Sequence, residues 1–499
     1  MTRVINEWSR ELRYQSYKNW SKDYTSFLEK NVKDAPWRLN YHIQPKSGLL
    51  NDPNGFSYFN NEWHLFYQFY PFGAVHGLKS WYHLTSKNLV DWTQKGIALE
   101  PSYTFDSHGV YSGTAFPIGE ELFLSYSGNV RDEEWHRQSY QLGAMMKKDS
   151  TIKKINSPLV DFPIKGYTDH VRDPQIISYK GNYLMILGAQ NSDEEGKIII
   201  FESTNLTDWD LLGDLNYTHQ KIGFMVECPN LLFVEEQPLL IFCPQGLDKS
   251  IMSYENIYPN TYILGDSFDL KHLTINSPSE IKNLDYGFDV YATQAFTDEN
   301  GRCLSISWLG LPEIDYPTFK DGWAHCLSLV KELTIKEGKL YQFPVIETAE
   351  LREDATSIKG TLTSDLKTIA KNTTNSYELN LSFSSNSSGV LHLFSDNSAE
   401  ESFKLFFDTK KGVLKIDRQH AGVSFAEEFG VTRSLIVPKN KKLELDIFVD
   451  QSTIEIFINK GEDVMTSRIF PEDHQTNLMI EGQNGDFFGT IYSLRKMKN

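Results

Sequence analysis

The chain has 499 residues, more than one ordinary hydrophobic core accommodates, so two domains are expected. A formal net charge of −17 excludes a nucleic-acid partner, which needs a basic face, but leaves room for a small ligand carrying one phosphate, which a few local cations can hold. The four cysteines form no Cys-x-x-Cys pair, so neither a zinc site nor a disulfide framework is indicated, and 13% aromatic residues suit a strand-rich protein.

Residues 1–34 are polar and charged, with Trp8, Leu12, Trp20, Tyr24, Phe27 and Leu28 falling on one helical face. They predict an N-terminal helical extension, one helix or two, packed outside the main domain. The opening residues contain no apolar run that reads as a signal peptide. No stretch approaches the roughly 20 apolar residues of a membrane span. A cytoplasmic protein with no membrane partner is the expectation.

From residue 37 onward, short aromatic and β-branched runs alternate with turn signals, as in Glu62–Gln68, Glu121–Tyr126, Asn182–Leu187, Pro238–Phe242 and Arg302–Trp308. One pattern recurs among them: Asn51-Asp52-Pro53-Asn54, Arg172-Asp173-Pro174-Gln175 and Glu227-Cys228-Pro229-Asn230. Each copy holds an acid, a proline within two residues, then an amide. Proline restricts the residue before it, so each acid is expected on a stiff, extended segment. Asp52 and Asp173 are 121 residues apart, and Asp173 and Glu227 are 54 apart. Tyr111-Ser112 falls midway in the first interval, and Asp289-Val290-Tyr291 follows Glu227 by about one unit. Ser86–Trp92 is echoed by Ser203–Trp209. Units of roughly 50–60 residues predict a five-bladed β-propeller over 35–345, in which equivalent positions of each blade face one funnel.

The texture changes at 346–358, expected as a linker. Beyond it, Ser376–Phe383, Lys442–Asp450 and Thr453–Asn459 alternate with period two, which predicts a C-terminal β-sandwich over 359–499. The fold class is therefore all-β.

Three carboxylates converging on a funnel suit hydrolysis of a sugar linkage. Retaining cleavage needs one carboxylate to attack the anomeric carbon and one carboxylic acid to protonate the leaving oxygen. A third acid can hold ring hydroxyls, and mutual repulsion raises at least one pKa. Asn51, Asn54, Gln68 and Arg172 offer hydrogen bonds to hydroxyls. A lone Asp-Pro pair is usually a turn, but three at blade spacing point to a site. A calcium site would gather its acids in one loop, a pattern this chain lacks.

At these residues the chain resembles glycoside hydrolase family 32, the invertase and fructanase family. The match runs through Asn51–Gly55, Phe66–Gln68, Tyr111–Thr114, Arg172–Pro174, Glu227–Pro229, Asp289–Gln294, Trp308–Gly310 and Phe448–Phe457. The resemblance implies a retaining β-fructofuranosidase with Asp52 as nucleophile, Glu227 as acid/base and Asp173 as the stabiliser that binds fructose hydroxyls. It implies Leu50, Asn51, Gln68, Trp81, Tyr111, Ser112, Arg172, Asp289 and Trp308 around the sugar, with no metal and no cofactor. Pro71–His83 and Gly128–Arg131 are most similar to the bacterial sucrose-6-phosphate hydrolases, although many family members carry Gly at Tyr82 and Phe at Tyr111. A phosphate on the glucose unit calls for rim cations, and Arg131 and Arg137 are the favoured pair. The alternatives are a fructan exo-hydrolase or fructosyltransferase on the same scaffold, and a non-catalytic carbohydrate-binding propeller.

Overall fold

The computed structural model describes residues 3–498. Apart from an N-terminal helical segment and single 3-10 turns, the chain is all-β.

Helix α1 (Arg10–Arg13) begins at Ser9 and α2 (Lys22–Lys33) at Ser21, each serine side chain accepting a free N–H of the first turn. These caps divide the segment, so the apolar face expected from Trp8 to Leu28 is not one helix. Only α2 buries a regular stripe, Tyr24, Leu28 and Val32. Trp8 and Trp20 lie outside both helices and pack on the segment 70–73. Trp20 stacks on Phe72 with ring centres 4.4 Å apart, and Trp8 meets the edge of Tyr70. Trp8 also fills the space left by Gly73, where a Cβ would fall 2.0 Å from its ring.

Five sheets of four or five strands follow, each led in sequence by one strand: β1 (Gly48–Phe59), β2 (Val110–Ile118), β3 (Tyr167–Tyr179), β4 (Met225–Val234) and β5 (Val290–Thr297). These leading strands pack in sequence, and β5 returns to β1, so they close a ring. The seam is tied by Trp323–Ala324, which pairs parallel to Gly48–Leu49. The repeated Ser-x-Asn-Leu sequence is a repeated turn. In both copies an asparagine side chain, Asn88 or Asn205, accepts backbone N–H groups two or three residues on. In both, the tryptophan N–H closes on a left-handed leucine, Leu89 or Leu206.

Side chains stitch the ring. Asn54 Oδ1 accepts from Gly113 N at 3.0 Å, and Thr114 Oγ1 donates to Pro174 O at 3.0 Å. Gln175 brackets Leu231, accepting from its N–H at 2.7 Å and donating to its carbonyl at 3.2 Å. Asn230 Oδ1 accepts from Ala295 N, and Gln294 Oε1 from Phe56 N. Asn54 is thus a strand tie and not a donor to ligand: it has no exposed surface, and its Nδ2 returns to Asp52 O.

All five leading strands also carry a bulge at the same level. It sets aside Asn51-Asp52, Tyr111-Ser112, Asp173-Pro174, Cys228-Pro229 and Ala292-Thr293 from the ladder. Bulges re-aim side chains at strand rims. Here they correct the expected extended backbone before proline: Asp173 has φ +66° and Cys228 φ +49°. Such left-handed residues cost about 1–3 kcal/mol each, which the surrounding ties must outweigh.

Residues 352–494 form two six-stranded antiparallel sheets with their own apolar cluster between them, in which Phe383 stacks on Phe407. Residues 352–358, expected as linker, belong to the strand Arg352–Thr361, which pairs with Asp486–Leu494. It is an exposed edge strand, so no buried face imprints alternation on its sequence.

Candidate active site

The bulges bring the three acids to one mouth of the ring. Cys228 Sγ lies 3.9 Å from Asp52 Oδ2 and 3.7 Å from Asp173 Oδ2, and Glu227 precedes it in the chain. Asp52 is held by side chains alone. Asn51 Nδ2 donates to its Oδ1 at 3.0 Å, while Gln68 Nε2 at 3.2 Å and the Ser112 hydroxyl donate to Oδ2. Asp173 Oδ2 accepts Cys228 N–H at 3.0 Å. Glu227 accepts four bonds: Oε1 from Arg172 Nε and Nη2 at 3.0 and 2.9 Å, Oε2 from Tyr291 at 2.7 Å and Gln245 at 2.8 Å.

Burial, with Glu227 and Asp52 adding to it and Arg172 opposing it, lifts Asp173 to about 7. Burial also raises Asp52, against the hydrogen bonds from Ser112 and Asn51 and the charge of Lys79. The Cys228 thiol is pushed well up by burial and the neighbouring acids, so it stays protonated. The site therefore holds carboxyl groups that resist ionising together, as paired acid and base chemistry requires.

The subsite expectations divide. Gln68, Ser112 and Arg172 stand at the acids. Asn51 does too, but its amide is fully engaged: Nδ2 on Asp52 and Gln68, Oδ1 on the ammonium of Lys79. Tyr111 is half-buried on the second bulge. Trp81 is wholly buried between Phe66 and Tyr126, with its N–H on Tyr111 O, and supports that bulge from behind. Leu50 is likewise in the core, with its carbonyl held by His325. Trp308 is buried behind Tyr291, and its N–H edge is crowded by Gly310. Asp289 is not at the site. Its oxygens take Tyr316 OH at 2.8 Å, Arg418 Nη1 at 2.9 Å and Arg468 N at 2.7 Å, so it pins the ring to the second unit.

Arg131 and Arg137 face one another across the base of a hairpin, and neither has a carboxylate partner among the described residues. Burial, with the charge of Arg172 adding to it, holds the Arg137 guanidinium below the usual arginine range. Sequence reading passed over Tyr291, Gln245, the role of Lys79, and His170, whose Nδ1 lies 3.0 Å from Arg172 Nη1. Tyr291 and Lys79 lay inside recognised motifs, whereas Gln245 sits on a second strand without any motif to mark it.

The model for the glycosyl hydrolases family 32 N-terminal domain matches residues 42–344, and that for the family 32 C-terminal domain matches 347–492. A sucrose-6-phosphate hydrolase of Streptococcus mutans is 46% identical over 488 residues, covering 97% of this chain and 99% of that one. One from Pediococcus pentosaceus is 44% identical over 492 residues, 99% and 97% of the two chains. The solved sucrose-6-phosphate hydrolase of Lactobacillus gasseri superposes with a TM-score of 0.95 at 43% identity, covering 98% of this chain and 100% of that one. A Bombyx mori family 32 β-fructofuranosidase, in a mutant form bound to sucrose, gives 0.80 at 26% identity, covering 96% and 100%.

Proposed function

The chain belongs to glycosyl hydrolase family 32, and from that premise we propose a retaining β-fructofuranosidase that hydrolyses sucrose 6-phosphate, and sucrose, to a glucose moiety and fructose. The observation that carries this reading is the set of bulges that turns Asp52, Asp173 and Glu227 into one mouth, with Asp52 gripped by three side-chain donors.

In this reading the Asp52 carboxylate attacks the anomeric carbon of the fructosyl unit. Glu227 gives its proton to the glycosidic oxygen as the carbon–oxygen bond breaks and the glucose moiety leaves. The fructosyl ester on Asp52 is then attacked by water, Glu227 takes the water proton, and the ester electrons return to Asp52. The Tyr291 hydroxyl donates to Glu227 Oε2 and steadies the carboxylate left once the proton has gone. Asp173 and Arg172 hold the fructose hydroxyls.

The five sheets read as blades of a β-propeller and the two six-stranded sheets as a sandwich, with the boundary at the turn Ile346–Leu351. No described helix is long and apolar enough to cross a membrane. A phosphate ester crosses no bilayer unaided, which supports a cytoplasmic setting.

The test compares kcat/KM for sucrose 6-phosphate, sucrose and a short inulin fructan. A preference for the phosphate ester above about threefold is expected, and a smaller one removes the phosphate assignment. Asp52→Asn is expected to fall below about 1% of wild-type activity. Retention of more would displace Asp52 as nucleophile.

A further inference from the structure

The N-terminal helical segment has no obvious part in fructosyl chemistry, yet it is fastened to the loop that leads into the site. Arg13 O accepts Leu78 N at 2.8 Å, the Tyr17 hydroxyl donates to Leu78 O at 2.8 Å, and the Tyr24 hydroxyl donates to Phe72 O at 2.9 Å. A Cβ on Gly77 would fall 2.7 Å from Arg13 O, so contact is made at backbone level. This clamp delivers Tyr14 to the hairpin of Arg131 and Arg137. Its ring meets Trp135 edge-on at 5.1 Å and His108 at 5.9 Å, and its hydroxyl lies beside that of Tyr111. Trp135 is covered by the guanidinium groups of Arg10 at 4.5 Å and Arg131 at 5.8 Å.

Resting on the sucrose 6-phosphate reading, we propose that Tyr14 of the N-terminal segment, with His108, Arg131 and Arg137, forms the pocket that holds the phosphate of the leaving glucose unit.

Three features single out a phosphate. The first is uncompensated cation. In a chain of net charge −17, Arg131 and Arg137 have no carboxylate partner among the described residues, and the Nε of each is buried without one. The nearest tip carboxylate, Asp132, is taken by His136 N at 2.7 Å and Nδ1 at 3.2 Å. The second is a free donor. The Arg131 backbone N–H donates to His108 Nδ1 at 3.2 Å, so neutral His108 carries its proton on Nε2, which no described group accepts. The third is position. The strand that ends at Arg131 runs through Ser127, whose hydroxyl accepts Asp173 N–H at 2.9 Å, and Tyr111 adjoins Ser112, which donates to Asp52, so the pocket opens beside the acids, where the glucose unit must lie. Fixed guanidinium forks with neutral N–H and O–H donors suit a dianionic phosphate monoester better than a neutral sugar.

The experiment measures kcat/KM for sucrose 6-phosphate and for sucrose on the full chain, with inorganic phosphate as competitor. Arg137→Gln is expected to lower the phosphate-ester value about tenfold to a hundredfold and the sucrose value less than twofold. Tyr14→Phe and His108→Gln should each lower the first about threefold to tenfold, spare the second, and weaken inhibition by phosphate in parallel. Tyr14→Phe removes one oxygen atom, so folding is not at stake. Equal losses on both substrates overturn the pocket. A ratio that moves with the arginine but not with Tyr14 or His108 overturns the part given to the N-terminal segment while the substrate reading stands. A wild-type enzyme without preference fails that reading first.

Discussion

At the scale of residues, Asp52, the proposed nucleophile, is governed by a lysine. Lys79 is buried, is pulled down to about 7 by burial against the attraction of Asp52, and has Asn51 Oδ1 as its acceptor. An ammonium has no acceptor, so it forces Asn51 to turn its oxygen toward Lys79 and its N–H groups toward Asp52 and Gln68. Gln68, receiving Asn51, must then aim its own N–H groups at Asp52 and Ser112. Lys79→Met keeps the length and releases both amides. Its kcat is expected to drop about tenfold to a hundredfold with KM nearly unchanged, and the acidic limb of the kcat/KM profile to move upward as Asp52 loses a neighbouring cation. Lys79→Arg should restore that limb, and an unmoved limb in Lys79→Met refutes the relay. Asp173 makes the opposite kind of prediction. Its pKa is raised from 3.8 to about 7, foremost by burial, so its favourable contribution is complete below about pH 4 and is lost as pH rises through 7. Asp173→Asn is therefore expected to be more stable than wild type at pH 8, by on the order of 2 kcal/mol, and level with it at pH 4. Calorimetry at the two pH values checks this, and a uniform shift contradicts it. The identities of the acids were legible because proline and amide neighbours repeat with them. The hydrogen-bond direction at Asn51 was not, because it depends on a lysine 28 residues away in the chain.

At the scale of elements, the acid-proline-amide pattern proves to have two jobs. The bulged pair turns the acid to the mouth, and the amide beyond it binds the next strand. Thr114 performs the amide's job on β2, which explains why the second unit lacks the pattern. Gln175→Ala is expected to destabilise the fold by about 2–4 kcal/mol, since it orphans both backbone groups of Leu231, a residue with no exposed surface. Urea unfolding would show a lower midpoint at unchanged slope, whereas a midpoint within error of wild type would deny the stitch. The strand runs were readable as strands from alternation and turn residues. The bulges were not, since proline alone predicts extension, and the left-handed φ at Asp173 and Cys228 is imposed by the neighbouring strands.

At the scale of the molecule, the recognised Phe448–Phe457 run belongs to the junction of the two units rather than to the sugar. Asp450 accepts the N–H groups of Asn40, Tyr41 and His42, and His42 lies between Asp450 at 2.9 Å and Glu455 at 3.0 Å. Burial opposes the charge on His42, but the two carboxylates prevail and raise it to about 9. Its stabilisation is complete below about pH 6.5 and is lost as pH rises through 9. His42→Gln is expected to cost about 3 kcal/mol at pH 6, and the gap from wild type should close toward pH 10. Thermal melts across that range test it, and a constant gap would show that His42 acts by shape alone. The sequence by itself determined the all-β character, the repeating units, the change of texture after residue 345 and the three acids, because periodicity and proline act on neighbours along the chain. Only the tertiary structure decided that Asp289 ties the ring to the second unit, that Trp81 backs the second bulge, that Lys79 orients Asn51 at Asp52 and that the N-terminal segment reaches the hairpin of Arg131 and Arg137. Those facts are contacts between distant segments, set by how the ring closes and the second unit docks.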